Sequence, residues 1–167
     1  MKKILASGII LFSTLNLTFA QQATEHEQLC KEVSELIVMN KRSEFVKRFS
    51  PTKEDLLEFS YGTKADKVEK KERAEFFNSV TPTIGMLKEN ISSSFDFVHG
   101  KLEGKGILKL GDVEIIKSTQ SKIGETEVQN IYFIISNGQN QFKVELLGVY
   151  RTSRDWIIMT DVAPWYF

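Results

Sequence analysis

Few side chains in this sequence could do covalent or metal chemistry, and their spacing limits what that chemistry could be. The 167 residues include 2 histidines and 1 cysteine. His26 precedes Cys30 by one helical turn, a spacing at which an imidazole could draw the proton from a thiol. A reactive thiolate wants a basic, exposed setting. Cys30 instead sits beside Leu29 and Val33 and reads as a small apolar packing residue. His99 is far away in sequence and reads as a surface histidine near a helix end, so no zinc set is legible. Neither a metal nor a cofactor is expected. Gly104-Lys105-Gly106 is too short to cradle a phosphate, and no serine sits in a nucleophile elbow. Asp112 and Glu114 would share one face of a strand, where paired carboxylates can pass protons. Next to Gly111 they read as a solvated edge. Tyr132, Tyr150 and Thr160 could offer hydroxyls to a cavity.

Composition excludes other classes. Lys plus Arg and Asp plus Glu both number 22, giving a formal net charge of zero. That balance offers no electrostatic footprint for nucleic acid or an anionic membrane. Lys2 and Lys3 open the chain, residues 4–19 are free of charge, and Thr18-Phe19-Ala20 has the small-x-small form of a cleavage site. Residues 1–20 therefore read as a signal peptide, with Gln21 the expected mature start. Export to the periplasm or the medium follows. Polar residues interrupt the apolar run, so it does not read as a membrane anchor. Glu27-Gln28-Leu29 before Cys30 is not a lipobox. A lone cysteine allows no internal disulfide, so residues 21–167 must be held by one hydrophobic core.

The elements that must position these residues come in two blocks, helices and then strands. Leu29, Val33, Leu36 and Ile37 mark one face of a helix over 22–39. A short helix is expected over 43–49, and Ser50 and Pro51 look like the cap and first position of another. A helix over 66–80 is expected to end or kink at Pro82. Ile84, Leu87, Ile91, Phe95, Val98 and Leu102 then define the clearest helix, over 83–102. From 107 the period becomes two. Strands are expected over 107–118 (whole or split at Gly111-Asp112), 128–136, 142–151 and 156–162, with Asn137-Gly138 the strongest hairpin signal. Short connections between successive strands mean an antiparallel meander. The fold class is α+β, with N-terminal helices on one face of a curved four-stranded sheet. Alternation puts Phe142, Val144, Leu146, Gly148 and Tyr150 on the helix-facing side, and Trp156, Ile158 and Thr160 together on the next strand. The aromatic tail from Ala163 to Phe167 is expected to cover the open end of the core or, alternatively, to meet a partner.

This element order, closing on Asp155-Trp156-Ile157-Ile158-Met159-Thr160-Asp161-Val162, resembles the NTF2-like and cystatin-like superfamily. Phe49-Ser50-Pro51-Thr52-Lys53-Glu54-Asp55 is similar to a stretch of small exported bacterial proteins of Bacteroidetes type. The resemblance implies a strongly curved sheet around a long helix, with a cone-shaped cavity between them. Enzymes of the superfamily place an Asp or His in that cavity. No residue here matches such a motif, so none is carried over as catalytic. The expected function is a non-enzymatic exported binding or interaction module, holding a small apolar ligand or a protein partner. The expected ligand-facing residues are Phe142, Leu146, Gly148, Tyr150, Trp156, Thr160 and, from the strand before, Tyr132. A cofactor-free acid–base enzyme of the isomerase or dehydratase type is the first alternative. A structural module that pairs two copies through the outer sheet face is the second.

Overall fold

In the computed structural model, which describes residues 23–165, the chain runs through all its helices before its first strand. The expected leader, Gln21, Tyr166 and Phe167 lie outside the described residues. Helix α1 covers 23–38 and buries Leu29, Cys30, Val33 and Ile37. Asn40 ends it in the left-handed region, at φ 54°. The Lys41 and Asn40 amides donate back to the Leu36 and Ile37 carbonyls, closing the last turn. Helix α2, Arg42–Phe49, places Phe45 and Phe49 one turn apart in the core, with ring centroids 4.9 Å apart.

Helix α3, Lys53–Tyr61, starts later than the sequence signal implied. Pro51 precedes the cap rather than opening the helix, and the cap is Thr52 rather than Ser50. Thr52 and Asp55 form a reciprocal capping box, which satisfies two amide donors where Ser50 would satisfy one. Asp55 also accepts a 2.6 Å bond from Arg154. Burial pushes its carboxyl up, but the bonds from Thr52 and Arg154 outweigh burial and hold it below the ordinary range. A depressed folded-state value means stability that is present above the unfolded carboxyl value of about 3.9 and lost as pH falls through the folded value. Asp55→Ala should therefore cost about 1 kcal/mol near neutral pH. In urea unfolding at pH values below the unfolded carboxyl value, that difference should shrink as the pH falls and the carboxyl takes up its proton.

A 3₁₀ segment, Gly62–Lys67, leads to helix α4, Lys70–Gly104, which is continuous. Of the two outcomes expected at Pro82, an end or a kink, the helix does not end there. Pro82 lies in an exposed stretch, where water can take up the carbonyl left without a donor. Just upstream, the Ser79 and Thr81 hydroxyls donate to the Phe76 and Phe77 carbonyls. The stripe Leu87, Ile91, Phe95, Val98 and Leu102 is buried as the periodicity required. No described helix is long and apolar enough to cross a membrane.

The strands are β1 Val113–Ile123, β2 Thr126–Ser136, β3 Gln141–Arg151 and β4 Trp156–Pro164, antiparallel in that order. The first begins later than expected. Ile107 belongs to the connection, 1% exposed, with its amide bonded to the Leu102 carbonyl. Gly111 passes so close to β2 that a Cβ there would stand 2.6 Å from the Ser136 carbonyl oxygen. Helices α1, α2 and α4 pack with the sheet in one core, in which Phe45, Phe49, Phe95, Phe133 and Ile131 are fully buried.

Register slips between Ile115 and Lys117, between Gln129 and Ile131, and between Leu147 and Val149 bend this sheet. The slip at Gly148, whose φ is +65°, also resets the alternation of β3. Val149, not Tyr150, takes the next place in the core. Tyr150 turns to Phe59 of α3, ring edge to ring face at 5.0 Å. Its expected shared face with Leu146 is thus corrected by one inserted residue. Helix α3 closes over the turn end of β3 and β4, where Glu58 accepts bonds from the Ser153 amide and hydroxyl.

Candidate functional site

The residues expected to share one cavity do not converge. Phe142 and Leu146 are core residues, 7% and 0% exposed. Phe142 and Trp156 pair at opposite ends of the 11-residue strand β3, through Ile135 and Arg151 respectively. Gly148 and Thr160 meet each other at the bulge, with Thr160 exposed. Tyr132 faces away from the core, its ring 5.2 Å from Trp165. The Lys117 and Lys143 ammonium groups lie 5.3 and 5.0 Å from the Trp165 ring. Trp165 therefore does not cover the core. The tail residue and Tyr132 form an aromatic and cationic patch on the outer sheet face.

Trp156 is the expected site residue that borders open space. At the β3–β4 turn a cleft of about 500 Å³ has Leu36, Trp156 and Ile157 as its apolar surface. Polar groups from α2, the start of α3 and the turn ring it, including Lys47, Ser50, Thr52 and Thr152. A second cleft of about 610 Å³, lined more by charge, opens toward α1. Trp156, Glu32, Arg48, Arg154 and Asp155 border both.

Arg48 is the hub of this region. Its Nε and Nη2 donate to the two Glu32 carboxylate oxygens at 2.7 and 3.0 Å, and Nη2 lies 2.7 Å from Asp155 Oδ1. Nη1 reaches the Trp156 carbonyl at 3.3 Å. Burial works against this charge, but the bonds it donates to Glu32 and Asp155 outweigh it and raise the guanidinium's affinity for its proton. One side chain thus ties α1, α2 and the β3–β4 turn together and fixes the Trp156 backbone. Arg154 does the same for α3 through Asp55 and Thr52. Sequence reasoning missed these residues. Arg48 and Trp156 are 108 positions apart, and no local pattern connects them.

Cys30 is fully buried, and burial pushes its thiol up to about 12. Burial lowers His26, more than neighbouring Glu25 raises it, and its ring packs on Trp156 at 5.4 Å. A neutral imidazole beside a protonated thiol is the reverse of an activated pair. Iodoacetamide should therefore leave native Cys30 unmodified at pH 8 and label it only after urea unfolding, as read by intact mass. His99 is not a surface residue: its Nδ1 donates to the Ile37 carbonyl at 2.8 Å and ties α4 to α1. Asp112 and Glu114 are exposed. Glu145 is the carboxyl raised by burial and, secondly, by Asp161, but neither borders the clefts beside Trp156.

Comparisons with protein-family models, with curated proteins and with solved structures find no match to this chain.

Proposed function

We propose that this chain is an exported, non-enzymatic binding module of NTF2-like or cystatin-like build, and that it holds a small, largely apolar ligand in the cleft at the β3–β4 turn. The observation that carries this reading is the cleft itself. Its volume of about 500 Å³ falls within the roughly 300–1,000 Å³ common for small-molecule sites. It joins an apolar surface of Leu36, Trp156 and Ile157 to a few converging polar groups. Paired guanidiniums hold its walls, so the site is preformed. The interior between helices and sheet, where the ligand was first expected, is occupied by Phe45, Phe49, Phe95 and Phe133.

The test uses N-phenyl-1-naphthylamine, a neutral apolar fluorophore. Its emission should rise on binding to the native protein, and Leu36→Trp, which fills the cleft from α1, should abolish the rise while the circular dichroism spectrum is kept. Binding that survives Leu36→Trp would move the site elsewhere. Export is tested separately, by intact mass of the protein from the medium or periplasm, with a start at or near Gln21 expected.

A protein partner is the second reading, favoured by one observation. Tyr132, Trp165, Lys117 and Lys143 cluster on the outer sheet face. Tyr and Trp are enriched in interface cores, and pairing of two copies through this face is included in this reading. Sedimentation of wild type against Trp165→Ser would detect such pairing.

A further inference from the structure

We infer that the ligand of the β3–β4 cleft is a monoanionic amphiphile: an apolar body lying on Leu36, Trp156 and Ile157, with a carboxylate or similar acid at the α2 end. This rests on the reading of the cleft as a binding site, and goes beyond it by naming the ligand's chemistry. Glu32 is held by both arms of Arg48, and Asp155 by Arg48 and Arg151. Asp55 is held by Thr52 and Arg154, and Glu44 pairs with Lys41 on the exposed side of α2. The Thr152 hydroxyl donates to the Asp155 carbonyl and accepts from the Asp155 amide. The acids that border the cleft are thus already supplied with donors.

The donors of the cleft are not all supplied with acceptors. Ser50 is 5% exposed, borders the cleft, and its Oγ is buried without a hydrogen-bond partner. A buried hydroxyl in that state is costly, and in native structures the large majority of buried polar groups have a partner. Lys47 stands three residues earlier at the same end of α2, also borders the cleft, and has no ion pair among the described residues. Ser50 Oγ–H and Lys47 Nζ–H₃⁺ are both donors. What would satisfy them together is an acceptor bearing negative charge. The apolar surface beside them takes an uncharged body, so the complementary ligand is an acid with an apolar body.

The test compares N-phenyl-1-naphthylamine with 8-anilino-1-naphthalenesulfonate, which carries the same rings plus one acid group. The anionic probe should bind wild type about tenfold more tightly than the neutral one, the equivalent of one charge-assisted hydrogen bond. Lys47→Gln, an exposed change that should not disturb folding, and Ser50→Ala should each remove most of that preference, read as the ratio of the two probes' affinities for the same variant. Equal affinity of wild type for the two probes would overturn the inference while leaving the cleft reading in place. So would a preference that survives both substitutions. If neither probe binds, or if Leu36→Trp blocks neither, the cleft reading falls, and this inference with it.

Discussion

Phe95→Ala should lower the free energy of unfolding by about 3–5 kcal/mol, the usual cost of emptying a fully buried aromatic site. Phe95 is 0% exposed at the middle of the α4 stripe, with the Phe45 ring 5.2 Å away and the His99 ring stacked at 6.0 Å. Removing its ring takes contacts from α2 and from α4 itself, and His99 is the residue that anchors α4 to the end of α1. Neighbouring helices cannot easily close the gap. Phe49 is held by Arg48, whose guanidinium carbon lies 4.9 Å from its ring centroid, and Arg48 is fixed in turn by Glu32 and Asp155. A total stability of 5–15 kcal/mol is typical of such domains, so this loss would be a large share of it. Urea unfolding followed by circular dichroism measures it, with Ser93→Ala on the exposed face of the same helix as control. A loss under about 1 kcal/mol for Phe95→Ala, or equal losses for both, would mean that the stripe is not the buried face.

The fold was legible where one local signal had no competitor. Leu87, Ile91, Phe95, Val98 and Leu102 fixed the buried face of α4, and Asn137-Gly138 fixed the β2–β3 turn. There the Asn137 side chain accepts from the Gln139 and Asn140 amides. Pro82 misled because a proline's cost depends on whether water can reach the orphaned carbonyl, and exposure is not written in the residue itself. Ser50-Pro51 misled because two overlapping start signals compete, and Thr52 with Asp55 satisfies one more donor. The candidate site was less legible still. Trp156 was chosen for its parity on β4, and it does border the cleft, but as part of a surface shared with Leu36 of α1. Arg48, Asp155 and Glu32 carry ordinary charges in ordinary segments. Only the packing of α1 and α2 against the β3–β4 turn brings them within hydrogen-bond reach.

Gly148 shows how one residue misplaces a whole face, and it gives the other large expected effect. As a missing side chain on a helix-facing strand, it would leave room for a ligand, and Gly148→Leu would then block binding without unfolding the protein. The geometry points to a different outcome. Gly148 has φ +65°, a region that costs a residue with a Cβ about 1–2 kcal/mol. Its amide donates to the Asn130 side chain at 2.9 Å, which holds the bulge in place. A Cβ at this position would run into the Thr160 hydroxyl, and it would stand 3.1 Å from Thr160 Cβ and 3.2 Å from Ile123 Cδ1. Side chains from the two outer strands, Ile123 of β1 and Thr160 of β4, thus close on the one position of β3 that has no side chain. A leucine adds an overpacking cost of about 1–3 kcal/mol to the backbone cost, so Gly148→Leu should destabilise by about 2–5 kcal/mol. The two contributions can be separated. Gly148→Ala keeps the backbone cost and the collision with Thr160. Adding Thr160→Ala removes the hydroxyl and should recover part of the loss, leaving the backbone share of about 1–2 kcal/mol together with the close approaches to the residue-160 Cβ and Ile123. Thermal and urea unfolding of these variants, with N-phenyl-1-naphthylamine binding measured alongside, tests the whole scheme. Gly148→Leu with wild-type stability and no probe binding would return the ligand to the inside of the sheet. A destabilised Gly148→Leu that still binds the probe when folded, together with partial rescue by Thr160→Ala, is the result expected of a bend residue remote from the site.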